Sequence, residues 1–435
     1  MTAIASRLQD HLGPDARVVA PDQLDPAWQA RLESALVPGE PRPALVYPQT
    51  VGALAAAIAL AQQERWPLLL CGRGSKLSWG KPAQGVKLIL STQDLNTVIE
   101  HAASDLTVTV AAGLGLADLQ ATLRARGQFL PLDPAYPETA TLGGIVATAD
   151  TGSWRQRYGS PRDLLLGLSV VRADGAIAKA GGRVVKNVAG YDLMKLFTGS
   201  YGSLGAIAQL TFRTYPWPEA SATSLVTGAV GAIAQARTAL LQSALTPTAV
   251  DLLSPALVAA LGEPDPLGLL VRFQSLPASV TEQVQRWQGL AQALGLTGPT
   301  YTEAAETELW AQVQARVRQG YNRAIACKIG LLPAQAATFL AALAVEAPAP
   351  SYGQIHASSG VGYLGLPAAT PAEAIARLRA ACEAQQGYLT LLEAPQALKQ
   401  ALEPWGYRGN AIALMQALKA QFDPDQLLSP GRFWT

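Results

Sequence analysis

Three glycine-rich segments lie between residues 72 and 207, in a stretch that is otherwise rich in short apolar runs. Glycine loses more conformational freedom on folding than any other residue, so this density of glycine carries an entropic cost. Glycine also lets backbone N–H groups approach a ligand without obstruction by side chains. The three segments therefore favour an extended ligand that lies against the backbone over unrelated turns.

The first segment is Gly72-Arg73-Gly74-Ser75-Lys76, immediately after a predicted buried strand that ends at Cys71. Its N–H groups can converge on one anion, and Ser75 and Lys76 add a hydroxyl group and a positive charge. A pyrophosphate would fit there, and an ordinary glycine turn between strand and loop is an equal alternative. The segment matches neither a Walker A sequence nor a GxGxxG motif that opens a helix.

The second segment clusters small residues from Thr139 to Thr148, around Gly143 and Gly144. A helix could begin there, and its first N–H groups could meet a phosphate or an electron-rich ring. A tight helix–sheet contact that needs both glycines for room fits equally well. The third segment runs from Gly181 to Ile207.

Composition narrows the class of protein. Lys and Arg number 33 against 32 Asp and Glu, so the net charge is 33 − 32 = +1, which excludes nucleic acid or an anionic membrane as the obvious partner. Hydrophobic residues make up 49% and charged residues 15%, which excludes a disordered chain. No apolar run approaches the roughly 20 residues of a membrane span, and charges at Arg7 and Asp10 argue against a secretory signal. We therefore expect a cytoplasmic location.

The three cysteines, Cys71, Cys327 and Cys382, are far apart and show no CxxC spacing. This argues against a disulfide framework, a zinc site or an iron–sulfur site, so no metal ligands are predicted. Any redox chemistry then needs a non-metal cofactor.

Two prolines in Pro216-Trp217-Pro218 predict a domain boundary. Asp174-Gly175 predicts a hairpin, and the alternation beyond residue 219 predicts an antiparallel sheet covered by helices. The predicted strands are 67–71, 86–90, 97–100, 106–111, 164–172, 176–180, 206–214, 224–227, 267–273, 324–329 and 388–392. The predicted helices are 51–64, 116–126, 232–241, 280–294, 334–345, 371–385 and 411–421.

The glycine segments resemble the FAD-binding domain shared by relatives of vanillyl-alcohol oxidase and p-cresol methylhydroxylase (PCMH). The matching motifs are Gly72–Lys76, Thr141-Leu-Gly-Gly144, Tyr158–Asp163, Lys186–Leu193 and Gly199–Gly205. Within that family, the ending Phe422-Asp-Pro with Ser429-Pro-Gly-Arg-Phe433 is similar to the FAD-binding subunits of bacterial glycolate oxidases.

The resemblance implies an α+β fold. A PCMH-type FAD-binding domain of two α+β subdomains is followed by an α/β cap domain with an antiparallel sheet. The expected division is an N-terminal segment (1–44), the FAD-binding domain (45–218), the cap (219–400) and a C-terminal segment (401–435) that returns to the FAD domain.

The resemblance also implies roles by position. Gly72–Lys76 would hold the FAD pyrophosphate, residues 141–144 and 158–160 would line the flavin and ribityl side, and residues 201–207 would contact the adenine or the ring edge through backbone. Tyr201 departs from many relatives, which have glutamate there. The implied cofactor-binding residues are Gly72, Arg73, Gly74, Ser75, Lys76, Thr141, Leu142, Gly143, Gly144, Tyr158, Gly159, Ser160, Tyr201, Gly202, Leu204, Gly205 and Ile207. Lys186, Asn187 and Asp192 belong to the same signature, and a buried salt-linked turn is their expected role.

The flavin is expected to be non-covalent. Relatives that tether it use a histidine or cysteine beside these loops, and Lys76, Leu77 and residues 137–144 offer neither. Cys71 is the nearby thiol, and its strand-like run predicts a buried small hydrophobe.

Oxidation of a 2-hydroxy acid needs a base for the hydroxyl proton and a cation for the carboxylate, besides the flavin. His356 is the candidate catalytic residue, and a histidine satisfied by backbone in a strand is the alternative. No acidic cluster is expected beside it. Arg323, Arg408 and Arg432 could bind a carboxylate, although single arginines often serve at the surface or in ion pairs.

The resemblance implies the FAD-binding subunit of a glycolate (2-hydroxy acid) oxidase or dehydrogenase complex, which oxidises glycolate to glyoxylate by hydride transfer to FAD. Its expected partners are a second FAD subunit and an iron–sulfur subunit. Larger relatives carry a His-x-Gly-Asp-Gly-Asn-x-His cluster that this sequence lacks. A non-catalytic subunit that holds flavin for assembly or electron relay is therefore the alternative.

Overall fold

The computed structural model describes residues 2–183, 191–263, 266–318 and 325–433. The chain divides into two compact units. The first comprises Met1–Gly152, Gly159–Trp217 and Arg408–Thr435, and the second comprises Ser153–Tyr158 and Pro218–Tyr407. None of the described helices combines the length and hydrophobicity needed to cross a bilayer.

The helices of the described ranges are α1 (Thr2–Leu12), α2 (Pro26–Ala35), α3 (Val51–Gln63), α4 (Leu116–Arg124), α5 (Leu142–Thr148), α6 (Arg155–Tyr158), α7 (Pro161–Leu164), α8 (Met194–Phe197), α9 (Val230–Gln242), α10 (Pro255–Ala260), α11 (Pro277–Ala293), α12 (Glu303–Arg318), α13 (Ala336–Glu346), α14 (Ala372–Glu383), α15 (Gln396–Ala401) and α16 (Ala411–Phe422).

The strands of the same ranges are β1 (Ala16–Val19), β2 (Ala44–Pro48), β3 (Leu68–Cys71), β4 (Leu88–Ser91), β5 (Val98–Ala102), β6 (Thr107–Ala111), β7 (Gln128–Phe129), β8 (Leu165–Val171), β9 (Ile177–Gly181), β10 (Ala206–Arg213), β11 (Tyr215–Pro216), β12 (Ala220–Gly228), β13 (Ala249–Leu253), β14 (Leu267–Ser275), β15 (Thr300–Thr302), β16 (Ile325–Gly330), β17 (Tyr352–His356), β18 (Val361–Leu366) and β19 (Tyr388–Glu393).

A four-stranded sheet of order β1-β2-β4-β3 lies in the first unit. The pairs β2–β4 and β3–β4 are parallel, and their strands are almost wholly apolar, as expected where helices and loops cover both faces. Helix α3 begins at its N-cap Thr50, whose Oγ1 accepts a hydrogen bond from the Ala53 N–H at 3.0 Å. Buried residues of α1 and α3 pack against the strands in one hydrophobic core.

A five-stranded antiparallel sheet of order β5-β6-β10-β8-β9 also belongs to the first unit. The predicted hairpin at Asp174-Gly175 is confirmed: it joins β8 to β9, and the Arg172 N–H donates to the Ala176 carbonyl at 2.9 Å. Gly175 has φ +79°, a conformation that favours glycine. The two sheets together confirm the expected α+β class.

The C-terminal segment packs within the first unit. The Leu68 N–H donates to the Leu427 carbonyl at 2.8 Å, and the Ser429 N–H donates to the Leu68 carbonyl at 2.7 Å. The last described residues therefore extend the hydrogen bonding of β3, the strand that leads into the first glycine segment.

An eight-stranded antiparallel sheet of order β15-β12-β14-β13-β17-β18-β16-β19 forms the second unit. Its strands share a hydrophobic core with α9, α11, α13 and α14, and Trp287 on α11 is fully buried there. The predicted antiparallel sheet covered by helices is thus confirmed.

Several strands of the second unit, among them β13 and β18, were not predicted from the sequence. Asp251 interrupts the apolar run of β13, and β18 contains Gly362 and Gly365. These glycines mark close backbone approaches, because a Cβ on Gly365 would lie 2.0 Å from the Arg316 carbonyl oxygen. Such a requirement comes from a neighbouring element, so local patterning does not show it.

Candidate functional site

The predicted ligand-binding segments meet at one cavity in the first unit. The predicted residues that line it are Gly72, Arg73, Gly74, Ser75, Lys76, Thr141, Gly143, Gly144, Tyr201, Gly202, Gly205 and Ile207. The predicted residues that do not line it are Leu142, Tyr158, Gly159, Ser160 and Leu204. Ala206, from the predicted stretch 201–207, also lines it, as do residues that sequence reasoning did not place there: Leu69, Leu70, Cys71, Leu77, Thr92, Ala147, Thr148 and Arg432.

The loop after β3 offers hydrogen-bond donors to this cavity. The Ser91 hydroxyl donates to the Gly72 carbonyl at 2.8 Å, and Gly74 turns the chain with φ +78°. The backbone N–H groups of Arg73, Gly74 and Ser75 donate to no oxygen of the residues that the structure describes. Unsatisfied N–H groups on a glycine loop form an anion-binding concavity, so this loop fits the pyrophosphate of FAD.

The start of α5 forms part of the cavity wall, but its N–H groups are not available to a ligand. The Gly143 N–H donates to the Ala112 carbonyl at 2.8 Å, and the Gly144 N–H donates to the Thr141 Oγ1 at 3.2 Å. A Cβ on Gly143 would lie 2.8 Å from the Cβ of Ala112, and a Cβ on Gly72 would lie 2.0 Å from the Thr141 Oγ1. Of the two alternatives for this segment, the structure therefore shows the tight packing.

Lys76 differs from its expected role as a free positive charge. Its Nζ lies 2.7 Å from the Asp150 Oδ2, and both side chains are buried. The same carboxylate oxygen accepts a hydrogen bond from the Ala135 N–H at 2.9 Å. Because Asp150 lies 74 residues away along the chain, the loop sequence could not show that this charge is already balanced.

Tyr201 bends the third segment towards the cavity. It adopts φ +51°, and its N–H donates to the Ala147 carbonyl at 2.8 Å. Its carbonyl accepts a hydrogen bond from the Ser429 hydroxyl at 3.1 Å, and its ring meets the edge of the Phe433 ring at 5.7 Å. The C-terminal segment thus supports an unusual backbone conformation in the cavity wall.

Cys71 and Arg432 also line the cavity, and the sequence analysis did not place either of them there. Burial raises the pKa of the Cys71 thiol to about 12, so this thiol stays protonated at neutral pH and is a poor nucleophile. Burial lowers the pKa of the Arg432 guanidinium to about 10, which leaves it charged at neutral pH. Arg432 donates to the carbonyls of Trp79 and Leu77, which follow the first glycine loop.

The segment around Ser160 has a local structural role. The Ser160 N–H and hydroxyl both donate to the Asp163 Oδ2, at 2.8 and 2.7 Å, and this pairing caps α7. A Cβ on Gly159 would lie 2.8 Å from the Cβ of Asp163, so glycine is needed for the turn. Tyr158 ends α6, within the second unit.

His356 of the second unit has an acidic partner that the sequence did not reveal. It ends β17 directly opposite Asp251 of β13, and its Nδ1 lies 2.5 Å from the Asp251 Oδ1. The Gln354 Nε2 donates to the Asp251 Oδ2 at 2.9 Å and to the Ser153 hydroxyl at 3.0 Å. The sequence predicted no acidic cluster beside His356, and it could not show this single carboxylate, because Asp251 lies 105 residues away and meets His356 only through strand pairing.

The other ring nitrogen of His356, Nε2, is also buried. His356 is 1% exposed, and its Nε2 makes no hydrogen bond with the residues that the structure describes. Asp251 orients the ring through Nδ1, which leaves Nε2 as the proton acceptor.

The remaining candidate residues are scattered. Lys186, Asn187 and Arg323 lie outside the described residues. Asp192 pairs with Lys195 at 2.8 Å, but Asp192 is exposed, so this ion pair is not the expected buried turn, and Arg408 is exposed as well. No group of His, Cys, Asp and Glu in the described ranges could hold a metal ion.

Comparisons with known proteins show what part of the chain is similar to. Residues 42–181 match the family model described as "FAD binding domain". The glycolate oxidase subunit GlcE of Escherichia coli is 36% identical over 39% of this chain and 48% of its own length. A probable mitochondrial D-lactate dehydrogenase of Danio rerio is 29% identical over 62% of this chain and 56% of its own length. The chain thus spans about half the length of these curated relatives.

The solved structure of p-cresol methylhydroxylase with bound substrate has the same fold. It superimposes with a TM-score of 0.76, covers 99% of this chain and 96% of its own, and shares 16% sequence identity. At this identity the similarity concerns the fold alone.

Proposed function

We propose that this chain, which carries an FAD binding domain of the p-cresol methylhydroxylase type, is a subunit of an enzyme that oxidises a 2-hydroxy acid. The observation that supports it best is the cavity in which the predicted glycine segments meet, with free N–H groups on the loop that follows β3. The relatives named as a glycolate oxidase subunit and a D-lactate dehydrogenase support the substrate class.

FAD, when bound, accepts the hydride that leaves the carbon atom bearing the hydroxyl group. The N–H groups of residues 73–75 hold its pyrophosphate. Gly143, Gly144, Tyr201, Gly202 and their neighbours in the cavity supply the wall against which the rest of the cofactor packs. The cofactor is non-covalent, because the protonated Cys71 thiol is a poor nucleophile and no histidine lines the cavity in the described ranges.

We further propose His356 as the base that takes the substrate hydroxyl proton. Its pairing with Asp251 fixes the ring and stabilises the imidazolium that forms, and the buried Nε2 is the atom that accepts the proton. A positioned base of this kind contributes roughly 10²–10⁴-fold in rate.

The substrate we favour is glycolate, and the partners we favour are a second FAD subunit and an iron–sulfur subunit, in the cytoplasm. The word "subunit" in the name of the GlcE relative supports an assembly. The alternative, a subunit that holds flavin without turnover, is favoured by the sequence itself, which contains three histidines and no His-x-Gly-Asp-Gly-Asn-x-His cluster.

A visible spectrum of the purified chain, recorded anaerobically with and without glycolate or D-lactate, tests the proposal. We expect an oxidised flavin spectrum that bleaches very slowly in the isolated chain and rapidly when the partner subunits are added. Absence of any flavin spectrum after incubation with FAD would contradict the whole proposal. Bleaching at an equal rate with His356→Gln would remove His356 from the reaction.

Acid precipitation tests the mode of attachment. A non-covalent flavin stays in the yellow supernatant after the protein is removed. A yellow pellet would contradict non-covalent binding.

A further inference from the structure

Gln354 lies beside the His356–Asp251 pair, on the same face of the sheet in the second unit. It precedes His356 by two residues on β17, so both side chains point to one face, and Ile355 between them packs into the hydrophobic core. The Asp251 Oδ1 lies 2.5 Å from the His356 Nδ1, and the Asp251 Oδ2 accepts a hydrogen bond from the Gln354 Nε2 at 2.9 Å. Each oxygen of this carboxylate therefore has its own partner.

The chemistry of these groups fixes the orientation of the Gln354 amide. An ionised carboxylate can only accept hydrogen bonds, so the amide nitrogen must face Asp251. The same nitrogen donates to the Ser153 hydroxyl at 3.0 Å, in the short segment 153–158 that the chain contributes to the second unit. All of these side chains are buried, where water does not readily replace a hydrogen bond that the carboxylate loses. Asp251 and Ser153 thus hold the amide together.

A neutral donor suits this carboxylate better than a charged one. The Gln354 amide satisfies the Asp251 Oδ2 and leaves the negative charge of the carboxylate in place. That charge favours a proton on the facing Nδ1 of His356 and stabilises the imidazolium when a second proton arrives at Nε2. A cation at position 354 would cancel the charge. Arg272, a cation on the neighbouring strand β14, has a carboxylate of its own, because its Nε lies 2.9 Å from the Glu306 Oε1.

We infer that Gln354 is a positioning residue for the proton transfer: it holds the Asp251 carboxylate against the His356 Nδ1, which keeps the ring proton on Nδ1 and the lone pair on Nε2. The inference rests on the proposed function, because it assumes that Nε2 takes the substrate proton. In that step the substrate O–H bond breaks and an N–H bond forms at Nε2. The electron pair left on the oxygen forms the carbonyl as the hydride leaves for FAD.

Imidazole nitrogen NMR resonances of the full chain test the positioning role without any turnover. The chain contains three histidines, so histidine-specific labelling and a His356→Gln variant identify the His356 signals. Spectra at about pH 8.5, above the ordinary titration range of imidazole, show which nitrogen carries the proton. Gln354→Met removes the donor and keeps the side-chain length. The matched control is Gln274→Met, since Gln274 lies on β14 of the same sheet and its buried Oε1 has no hydrogen bond with the residues that the structure describes.

We expect the wild type to carry the His356 proton predominantly on Nδ1. Gln354→Met should move the tautomer ratio towards the Nε2–H form by roughly 3- to 10-fold, the range of one lost hydrogen bond, and Gln274→Met should not move it. Ser153→Ala releases one side of the amide and should give a smaller shift in the same direction. An unchanged ratio in Gln354→Met, or equal shifts in Gln354→Met and Gln274→Met, would overturn the inference.

Gln354→Glu makes the donor depend on pH, because the introduced carboxyl group can donate to Asp251 only while it is protonated. The readout is the rate of flavin bleaching by glycolate in the chain combined with its partner subunits, relative to the wild type at the same pH. We expect a relative rate near that of the wild type at acid pH and a fall of about 10-fold or more at alkaline pH, whereas Gln354→Met should be slow throughout.

A relative rate of Gln354→Glu that does not change with pH would also overturn the role of the donor. Absence of bleaching in the wild type would contradict the proposed function instead. The His356 resonances would then still decide whether Gln354 positions the ring proton.

Discussion

Gly74 has the backbone conformation in the cavity loop that a larger residue tolerates least. Its φ of +78° lies in the left-handed region, where a β-branched side chain is strained by about 1–2 kcal/mol. A Cβ at this position would lie 3.2 Å from the Arg31 Cδ and 3.2 Å from the Leu77 Cδ1, which are ends of flexible side chains. Neighbouring side chains can therefore move aside for a larger residue here, so the protein still folds. The loop backbone, however, cannot keep its left-handed conformation with a β-branched residue.

We expect Gly74→Val to give a folded protein without flavin, because relief of the strain turns the N–H groups of residues 73–75 away from the cavity. FAD content per folded chain, from absorbance and circular dichroism, measures this. Gly127→Val is the control, since Gly127 has φ +65°, has open space around it and does not line the cavity. Normal FAD content in Gly74→Val would remove the loop from the site.

His356 and Asp251 are the residue pair whose loss should cost most in the second unit. Both are buried, so His356→Ala leaves the carboxylate with the Gln354 amide as its remaining side-chain partner on the described residues. We expect a loss of about 1–3 kcal/mol in the free energy of unfolding, measured by urea denaturation, because a buried carboxylate loses a hydrogen-bond partner. Asp251→Asn/His356→Ala should be less destabilised than His356→Ala alone, and equal losses in the two would show that the Asp251 side chain does not depend on its hydrogen bond to His356.

At the scale of elements, helix α16 is connected to the third glycine segment and to the C-terminal segment through one buried lysine, Lys419. The Lys419 Nζ donates to the Ser203 carbonyl at 3.0 Å, to the Leu428 carbonyl at 2.7 Å and to the Asp423 carboxylate. That carboxylate also accepts hydrogen bonds from the N–H groups of Leu427 and Leu428. One hydrogen-bond network thus connects α16, the third glycine segment and residues 427–428 of the C-terminal segment.

Lys419→Met should destabilise the first unit by about 3–5 kcal/mol, because it leaves the buried Asp423 carboxylate without its counter-charge. Urea unfolding followed by flavin release reports this directly. Gln416→Met, on the exposed side of the same helix, is the matched control and should change stability by less than about 0.5 kcal/mol. Equal midpoints for the two variants would show that the network contributes nothing measurable.

The three cysteines of the chain all have thiols that favour the protonated form, although Cys327 and Cys382 are buried and Cys71 is half-buried. Burial raises the pKa of Cys71, Cys327 and Cys382 from 9.0 to about 12 each. Between these two values the unfolded chain releases protons that the folded chain retains. The folded state then binds more protons, so its stability falls as the pH rises.

We therefore expect the free energy of unfolding to decline steadily as the pH rises above 9. Just below pH 9 these three thiols should not change it. Urea titrations at pH 8, 9.5 and 10.5 measure the decline. A variant with all three cysteines replaced by alanine should be less stable at pH 8 and should lose less stability over the same interval. An identical decline in this variant would place the alkaline sensitivity elsewhere.

The sequence by itself determined the fold class and most of the element positions. Helix α3, strand β3 and the hairpin at Asp174-Gly175 follow from capping, apolar runs and turn residues, which act within a few residues of each other. Residues of the three glycine segments also line one cavity, although Gly72 and Gly143 are required by close packing against Thr141 and Ala112.

Only the tertiary structure decided which charges meet. Lys76 finds Asp150, His356 finds Asp251, and Arg432 finds the carbonyls of Leu77 and Trp79 across separations of 74, 105 and more than 350 residues. No local period or motif encodes such pairs, since strand order and the return of the C-terminus create them. Their energetics depend on burial, which is a property of the packed unit and not of the local sequence.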